Sequence, residues 1–313
     1  MTVLLTGASS FTGLWFAESL AAAGFDVVAP LRLASEDYEG LREARVQRLA
    51  RVATIVDSCP FGSDAFVALL RDRAIHTLCH HAAQVENYKS LDFDAAEALR
   101  LNTYNLRLVL ENAKALRSVV LTGSVFEADE GAGTQPREAF SPYGLSKTLT
   151  GEVFRYWCGH NKLPLTRFVI PNPFGPYEEP RFCHYLMKTW SSGHVAEVKT
   201  PDYVRDNIPV SLLAKIYADG VARIAGGERL ERMAPSFYAE SQGAFTQRLA
   251  REMKARLPLA CAVDLLPQTE FVEPLVRVNT DKTDVARFGW NEIAAWDDLA
   301  TYYQATYLAP AKG

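Results

Sequence analysis

From its N-terminus the chain alternates short apolar runs with stretches whose apolar residues recur every three to four positions. Val3-Leu4-Leu5 reads as a buried strand closing on Thr6-Gly7. Thr12 to Ala23 carries Leu14, Phe16, Ala17, Leu20 and Ala21 at helical spacing and stops at Gly24, a helix-ending glycine. The alternation continues with a strand over 25–31, a charged amphipathic helix from Glu39 to Arg48, and a strand over 53–56. Gly62-Ser63-Asp64 caps a helix from Ala65 to Arg73, and the strand over 74–83 runs into a turn. Then come one long helix from Ala95 to Ala115, a strand over 118–124, a helix from Pro142 to His160 and a sixth strand over 165–170. Short apolar strands separated by helices predict an α/β fold: a doubly wound parallel sheet covered on both faces, with right-handed crossovers.

The rhythm breaks at PNPFGPYEEP (171–180), whose four prolines exclude a helix. Helices are predicted beyond it from Phe182 to Ser191, Ala244 to Arg256 and Ala294 to Tyr307. The expected organisation is a dinucleotide-binding domain over 1–170, with strand and helix contributions from about 206–235. A smaller, C-terminal substrate-binding lobe is expected over 171–205 and 236–313.

Composition narrows the picture. The chain has 313 residues, 48% of them hydrophobic, and a formal net charge of −4, which suits a globular protein with a proper core. Lys and Arg form no long block, so nucleic-acid and membrane surfaces are not expected. The five cysteines are odd in number and lack CxxC spacing, which fits reduced thiols better than disulfides or zinc. No basic segment precedes the first strand, so a cytoplasmic protein is expected.

The chemistry gathers at strand ends. In a doubly wound (Rossmann-type) sheet, ligands bind outside the carboxyl ends of the strands. TGASSFTG (6–13) lies there and opens a helix whose N–H groups and dipole favour a pyrophosphate. Gly7 makes the turn, Gly13 lets helix and sheet pack closely, and Ser9, Ser10, Phe11 and Thr12 complete the cradle. Ser10 stands where such loops carry a middle glycine; its hydroxyl either caps the helix or bonds a phosphate oxygen. Arg32, after the second strand, sits where the adenosine ribose is read; arginine accommodates a 2′-phosphate, favouring NADP(H) over NAD(H). Asp57 and Ser58 close the third strand, with Asp57 placed either for the adenine amino group or as a solvated loop carboxylate.

SPYGLSK (141–147) puts Tyr143 and Lys147 four apart on one helical face. A lysine ammonium beside a phenol favours the phenolate and suits tyrosine to acid/base work on an alcohol. LTGS brings Ser124 to the same sheet edge, and 127–140 reads as a loop over it. His80 and His81 do not form a metal site, because neighbours on a strand point to opposite faces.

With these motifs the chain resembles an extended short-chain dehydrogenase/reductase of the NAD(P)-dependent epimerase/dehydratase group, which mostly acts on nucleotide-diphosphate sugars. The resemblance spans TGASSFTG, HHAAQ, LNTYN, TGS, SPYGLSK, IPNPFGP, YVRDNIPV and VNTDKTDVARFGW. It implies that Ser124 and Tyr143 bond the reacting oxygen, that Tyr143 exchanges its proton, and that Lys147 holds the nicotinamide ribose. Asn102 either completes this set or is a packing amide. Ala82, Ala83, Gln84 and Pro171 would line the cofactor, and Asn172 and Arg205 the substrate diphosphate; Arg277 either joins them or is a surface or salt-bridge arginine. His184 is either a second acid/base toward substrate or a solvent-facing histidine. The resemblance also implies a homodimer built on the helices at 95–115 and 142–160. VFEADE lacks the Asp-Glu pair of the group's 4,6-dehydratases, so epimerisation or 4-keto reduction is favoured over dehydration, with Glu127 the nearest substitute. A catalytically silent NADP(H)-binding module is the reading of another class; the Ser-Tyr-Lys set speaks against it.

Overall fold

The computed structural model describes residues 1–132 and 138–308. The expected loop over 127–140 therefore falls partly outside the described residues. The chain forms two compact units: Met1–Gly131, Pro136–Ile170 and Ala214–Pro235 in the first, Ala132–Gln135, Pro171–Leu213 and Ser236–Gly313 in the second.

The first unit opens with β1 (Thr2–Thr6), α1 (Phe11–Ala22), β2 (Asp26–Pro30), α2 (Gly40–Leu49) and β3 (Thr54–Val56). It continues with α3 (Asp64–Asp72), β4 (Thr77–His80), α4 (Ala95–Asn102), α5 (Leu106–Asn112), β5 (Ser118–Ser124), α6 (Pro142–His160) and β6 (Leu165–Ile170). Further along the chain come β7 (Asn172–Phe174), α7 (Phe182–Ser191), β8 (Ala196–Val198) and β9 (Val204–Pro209), then α8 (Val210–Ala225) and β10 (Arg232–Met233). From α8, residues Ala214 onward belong to the first unit, as does β10.

Seven parallel strands run in the order β10-β6-β5-β4-β1-β2-β3. The order reverses between β1 and β4, the place where such sheets leave a crevice for ligands. Side chains of β1, β4 and β5 point into a core holding Leu4, Leu78, Val119 and Leu121 with Phe66 and Phe154. On the opposite face Phe16 stacks on Tyr217, ring centroids 4.0 Å apart, with Phe168 edge-on.

One expected element is corrected. The long helix over 95–115 is two helices, broken at Thr103–Asn105. Asn105 adopts a left-handed backbone (φ +51°), which asparagine tolerates, and its side-chain amide donates to the Gly62 carbonyl at 2.9 Å. Gly62 lies so close that a Cβ would sit 2.0 Å from the Tyr104 carbonyl oxygen. The helix breaks to admit that loop.

In the second unit, β11 (Pro235–Ser236), β12 (Tyr238–Ser241), α9 (Gln242–Lys254), β13 (Val263–Leu265), β14 (Val276–Arg277), β15 (Asp281–Lys282) and α10 (Glu292–Tyr303) follow in chain order. β9 is central: it pairs antiparallel with β12 and parallel with β14 and β7. Helices α7, α9 and α10 enclose Leu186, Trp190, Phe245, Leu249, Trp296 and Tyr303. Among the described residues no helix is long and apolar enough to cross a membrane.

Candidate active site

The loop after β1 carries its glycines for steric reasons. Gly7 turns at φ +70°, and a Cβ there would lie 2.8 Å from the Ala82 nitrogen. A Cβ on Gly13 would lie 2.2 Å from the Gly7 carbonyl oxygen. Ser10 is the N-cap of α1, its Oγ accepting from the Gly13 N–H at 3.1 Å, so of the two expected roles for its hydroxyl the capping one is seen. The Leu14 N–H closes on the Ser10 carbonyl at 3.0 Å. The N–H groups of Phe11 and Thr12 keep no protein acceptor among the described residues, as a helix start that receives an anion requires. The first-turn donors and the close packing that the two glycines permit both fit a dinucleotide pyrophosphate.

Behind this loop lies a polar seam. Thr6 Oγ1 accepts from the N–H groups of His81 and Ala82, both at 3.0 Å, and lies 3.1 Å from His80 Nδ1. The His81 ring spans from Ser10 Oγ (3.1 Å) and Thr12 Oγ1 (2.9 Å) at Nε2 to Thr122 Oγ1 (3.1 Å) at Nδ1. Burial, then the nearby Lys147 charge, lowers both histidines to about 3, so they are neutral at ordinary pH.

At the carboxyl end of β5, Ser124 is 6% exposed and Lys147 is 5% exposed. Ser141 caps α6 through the Gly144 N–H at 3.1 Å, with Pro142 in the first turn, which sets Tyr143 and Lys147 in its opening turns. Lys147 Nζ donates to the Thr122 carbonyl at 2.7 Å. Burial lowers the Lys147 pKa, and the Glu127 charge opposes that. The Tyr143 ring packs edge-on against Tyr88, Phe93 and Phe126, with centroids 5.4, 5.8 and 5.7 Å away.

Glu127 is buried behind Ser124. Its Oε1 accepts from the Ser124 N–H at 2.7 Å and its Oε2 is ion-paired with Arg167. Arg167 also reaches Glu130 at 3.2 Å, and Glu130 pairs with Arg232 at 2.8 Å. Burial raises the Glu127 carboxyl pKa, with Lys147 and then Arg167 opposing. Both oxygens thus have partners within the protein.

The remaining expected residues divide. Asn102 is a buried brace: its Oδ1 accepts from the Gln84 N–H at 2.8 Å and its amide donates to Thr150 Oγ1 at 3.3 Å. Gln84, with Ala82 and Ala83, follows β4 beside the glycine loop. Arg32 is exposed two residues past β2. Asp57 Oδ1 accepts from the Ser35 hydroxyl at 2.6 Å, and Ser58 turns at φ +49° with its N–H on the Leu33 carbonyl.

In the second unit Pro171 is buried, and Asn172 opens β7 in register with Asn207 of β9. Arg205 and Arg277 are register neighbours on β9 and β14, and both are buried. They converge on one carboxylate oxygen: Glu273 Oε2 accepts from Arg205 Nη2 at 3.0 Å and from Arg277 Nη1 at 3.2 Å. His184 Nδ1 lies 2.6 Å from the Tyr307 hydroxyl. Sequence reasoning missed the His81 seam, the Glu127–Arg167 pair behind Ser124 and the Glu273 partner. The only signal for the first was a polar pair, His80-His81, at the end of an apolar strand.

A glycine loop at the sheet's reversal point, with serine, tyrosine and a buried lysine along the same edge, is the arrangement of a dinucleotide-dependent enzyme. The family model described as NAD dependent epimerase/dehydratase matches residues 3–216. The chain belongs to that family, within the extended short-chain dehydrogenase/reductase enzymes. No curated protein matches the sequence. Among solved structures it is similar to a variant UDP-glucuronic acid 4-epimerase from Bacillus cereus in complex with a fluorinated UDP-glucuronic acid and NAD. That match has TM-score 0.74 and 16% identity, covering 98% of this chain and 100% of that one. It is also similar to a UDP-glucose 4-epimerase from Stenotrophomonas maltophila with bound NAD and a formylated UDP-arabinopyranose (TM-score 0.73, 17% identity, 99% and 100% covered). A third is the dTDP-glucose 4,6-dehydratase from Streptomyces venezuelae, with NAD bound (TM-score 0.71, 18% identity, 97% of each chain covered).

Proposed function

We propose that the protein is an epimerase or 4-keto-reductase of nucleotide-diphosphate sugars, working at a sugar carbon, C4 first among them. The observation that carries this reading is the buried Lys147, held on the Thr122 carbonyl one helical turn from Tyr143 and along the strand from Ser124. A nicotinamide dinucleotide, when bound, supplies the acceptor and donor of hydride. The Phe11 and Thr12 N–H groups and the α1 dipole hold its pyrophosphate. Tyr143 takes a proton from the sugar hydroxyl and returns it, and the Ser124 hydroxyl orients the same oxygen. The Lys147 charge favours the Tyr143 phenolate and binds ribose hydroxyls. Asn102 acts through the loop it braces.

The second unit is the substrate-binding lobe in this reading. Arg205 and Arg277, drawn together on Glu273, are assigned with Asn172 to the diphosphate, and His184 to the sugar. Arg32 supports NADP(H), although the similar structures named above hold NAD. A cytoplasmic homodimer completes the proposal. Exposed Leu101, Tyr104 and Leu108 on α4, α5 and the turn between them, with Leu145, Leu149 and Tyr156 along α6, supply its apolar contact.

Dehydration is less well supported, because both oxygens of Glu127 are held by the Ser124 N–H and Arg167. The intact Ser-Tyr-Lys set argues against a silent sensor. The test is mass spectrometry of products from UDP-, GDP-, CDP- and dTDP-sugars and their 4-keto forms, with NAD or NADPH. Isomerisation or reduction of one of them is expected; no conversion of any would overturn the reading. A nicotinamide that copurifies marks the epimerase, and one consumed in solution marks the reductase.

A further inference from the structure

The His81 side chain has no place in the chemistry above, yet its ring joins three hydroxyls behind the glycine loop. An apolar side chain would fill the same space without burying an imidazole, whose burial costs free energy unless both nitrogens are satisfied. Here both are. Nε2 faces the hydroxyls of Ser10 and Thr12, and Nδ1 faces the hydroxyl of Thr122. The backbone N–H of His81 is anchored on Thr6 Oγ1, and Phe16 packs edge-on to the ring at 5.1 Å, so the imidazole has one orientation.

The consequence reaches both ends of the site. Ser10 and Thr12 flank Phe11 in the first turn of α1, where the open N–H donors lie. Thr122 carries the carbonyl that receives Lys147 Nζ. One neutral ring therefore joins the anion-binding turn of β1–α1 to the strand that holds the lysine.

We propose that His81 is a positioning residue for the dinucleotide. It turns the Ser10 and Thr12 hydroxyls inward, so that the loop meets the pyrophosphate with main-chain N–H groups in a fixed geometry. This explains how a serine is accommodated at a place that usually needs glycine: its hydroxyl is held below the loop, away from the phosphates. The inference rests on the reading of this loop as a dinucleotide site.

Calorimetric titration of the full-length protein with ADP-ribose tests it, using wild type, His81→Leu, His81→Gln and His81→Asn, with each melting temperature recorded. ADP-ribose lacks the nicotinamide and so reports on the loop apart from turnover. Glutamine carries its terminal amide about as far as Nε2 and restores the bonds to Ser10 and Thr12; asparagine reaches only as far as Nδ1. The expected result is at least tenfold weaker binding for His81→Leu and His81→Asn, and recovery to within threefold for His81→Gln. Binding by His81→Leu within twofold of wild type would overturn the proposal. So would equal weakening by glutamine and asparagine, a comparison that still decides if the leucine variant does not fold. Failure of wild type to bind ADP-ribose, NAD or NADP would instead refute the dinucleotide reading itself, and this inference with it.

Discussion

The Ser124 N–H donates to Glu127 Oε1 at 2.7 Å, so the candidate catalytic serine is fixed from behind by a buried carboxylate. The other oxygen is ion-paired with Arg167, which makes Glu127 a structural support rather than an acid/base. Glu127→Ala strands the buried Ser124 N–H and reduces Arg167 to its Glu130 pair, and is expected to cost about 1–3 kcal/mol in urea unfolding. Glu127→Gln keeps the acceptor for Ser124 and is expected to retain turnover within tenfold. Abolished turnover in a folded Glu127→Gln protein would return the dehydratase chemistry to this residue.

Glu178 predicts a pH effect with a definite sign. Its Oε2 accepts from the Gly175 N–H at 3.1 Å, and burial pushes the carboxyl up to about 8, with that hydrogen bond opposing. The folded protein thus holds a proton that the unfolded chain releases from its unperturbed value, about 4.3. Stability contributed by the neutral carboxyl is full below about pH 4 and is lost as pH rises toward 8. Glu178→Gln is neutral throughout. Its melting temperature is expected to exceed that of wild type at pH 8 and to approach it at pH 5; a constant difference across this range would contradict the assignment.

Arg32 is exposed just past β2, with no acidic neighbour at 31 or 33 to read a free 2′-hydroxyl. Arg32→Asp is expected to weaken NADP binding at least tenfold while leaving NAD unchanged or tighter, by fluorescence titration. Equal effects on both cofactors would remove Arg32 from the adenosine end.

On α6 the exposed apolar side chains Leu145, Leu149 and Tyr156 stand four and seven residues apart, on one helical face, and Leu101, Tyr104 and Leu108 add exposed apolar surface on α4, α5 and the turn between them. A dimeric mass is expected by light scattering at micromolar concentration. Leu149→Glu and Tyr156→Glu together should shift it to a monomer, and a monomeric wild type would refute the interface.

Much of the architecture was legible because parallel strands buried on both faces leave unbroken apolar runs, as Val3–Leu5 and Val119–Leu121 do. The break at Asn105 was not, since helical spacing runs through it and its cause is Gly62, over forty residues away in sequence. β10 spans two residues, too few to show a period. At the site, Gly7, Gly13, Tyr143 and Lys147 were readable because their chemistry fixes local spacing. His81, the Arg167 partner of Glu127 and the Glu273 partner of Arg205 were hidden, because each depends on contacts made only when distant strands pair.

In the proposed reaction Tyr143, supported by Lys147 and Ser124, moves the proton of a sugar hydroxyl while hydride passes between that carbon and a nicotinamide. The most direct test compares wild type with Tyr143→Phe on whichever nucleotide sugar the wild type converts, with ADP-ribose affinity measured alongside. The expected result is a fall in kcat of at least 100-fold, in line with the loss of a general acid/base, and ADP-ribose binding unchanged. Turnover by Tyr143→Phe at the wild-type rate would contradict it.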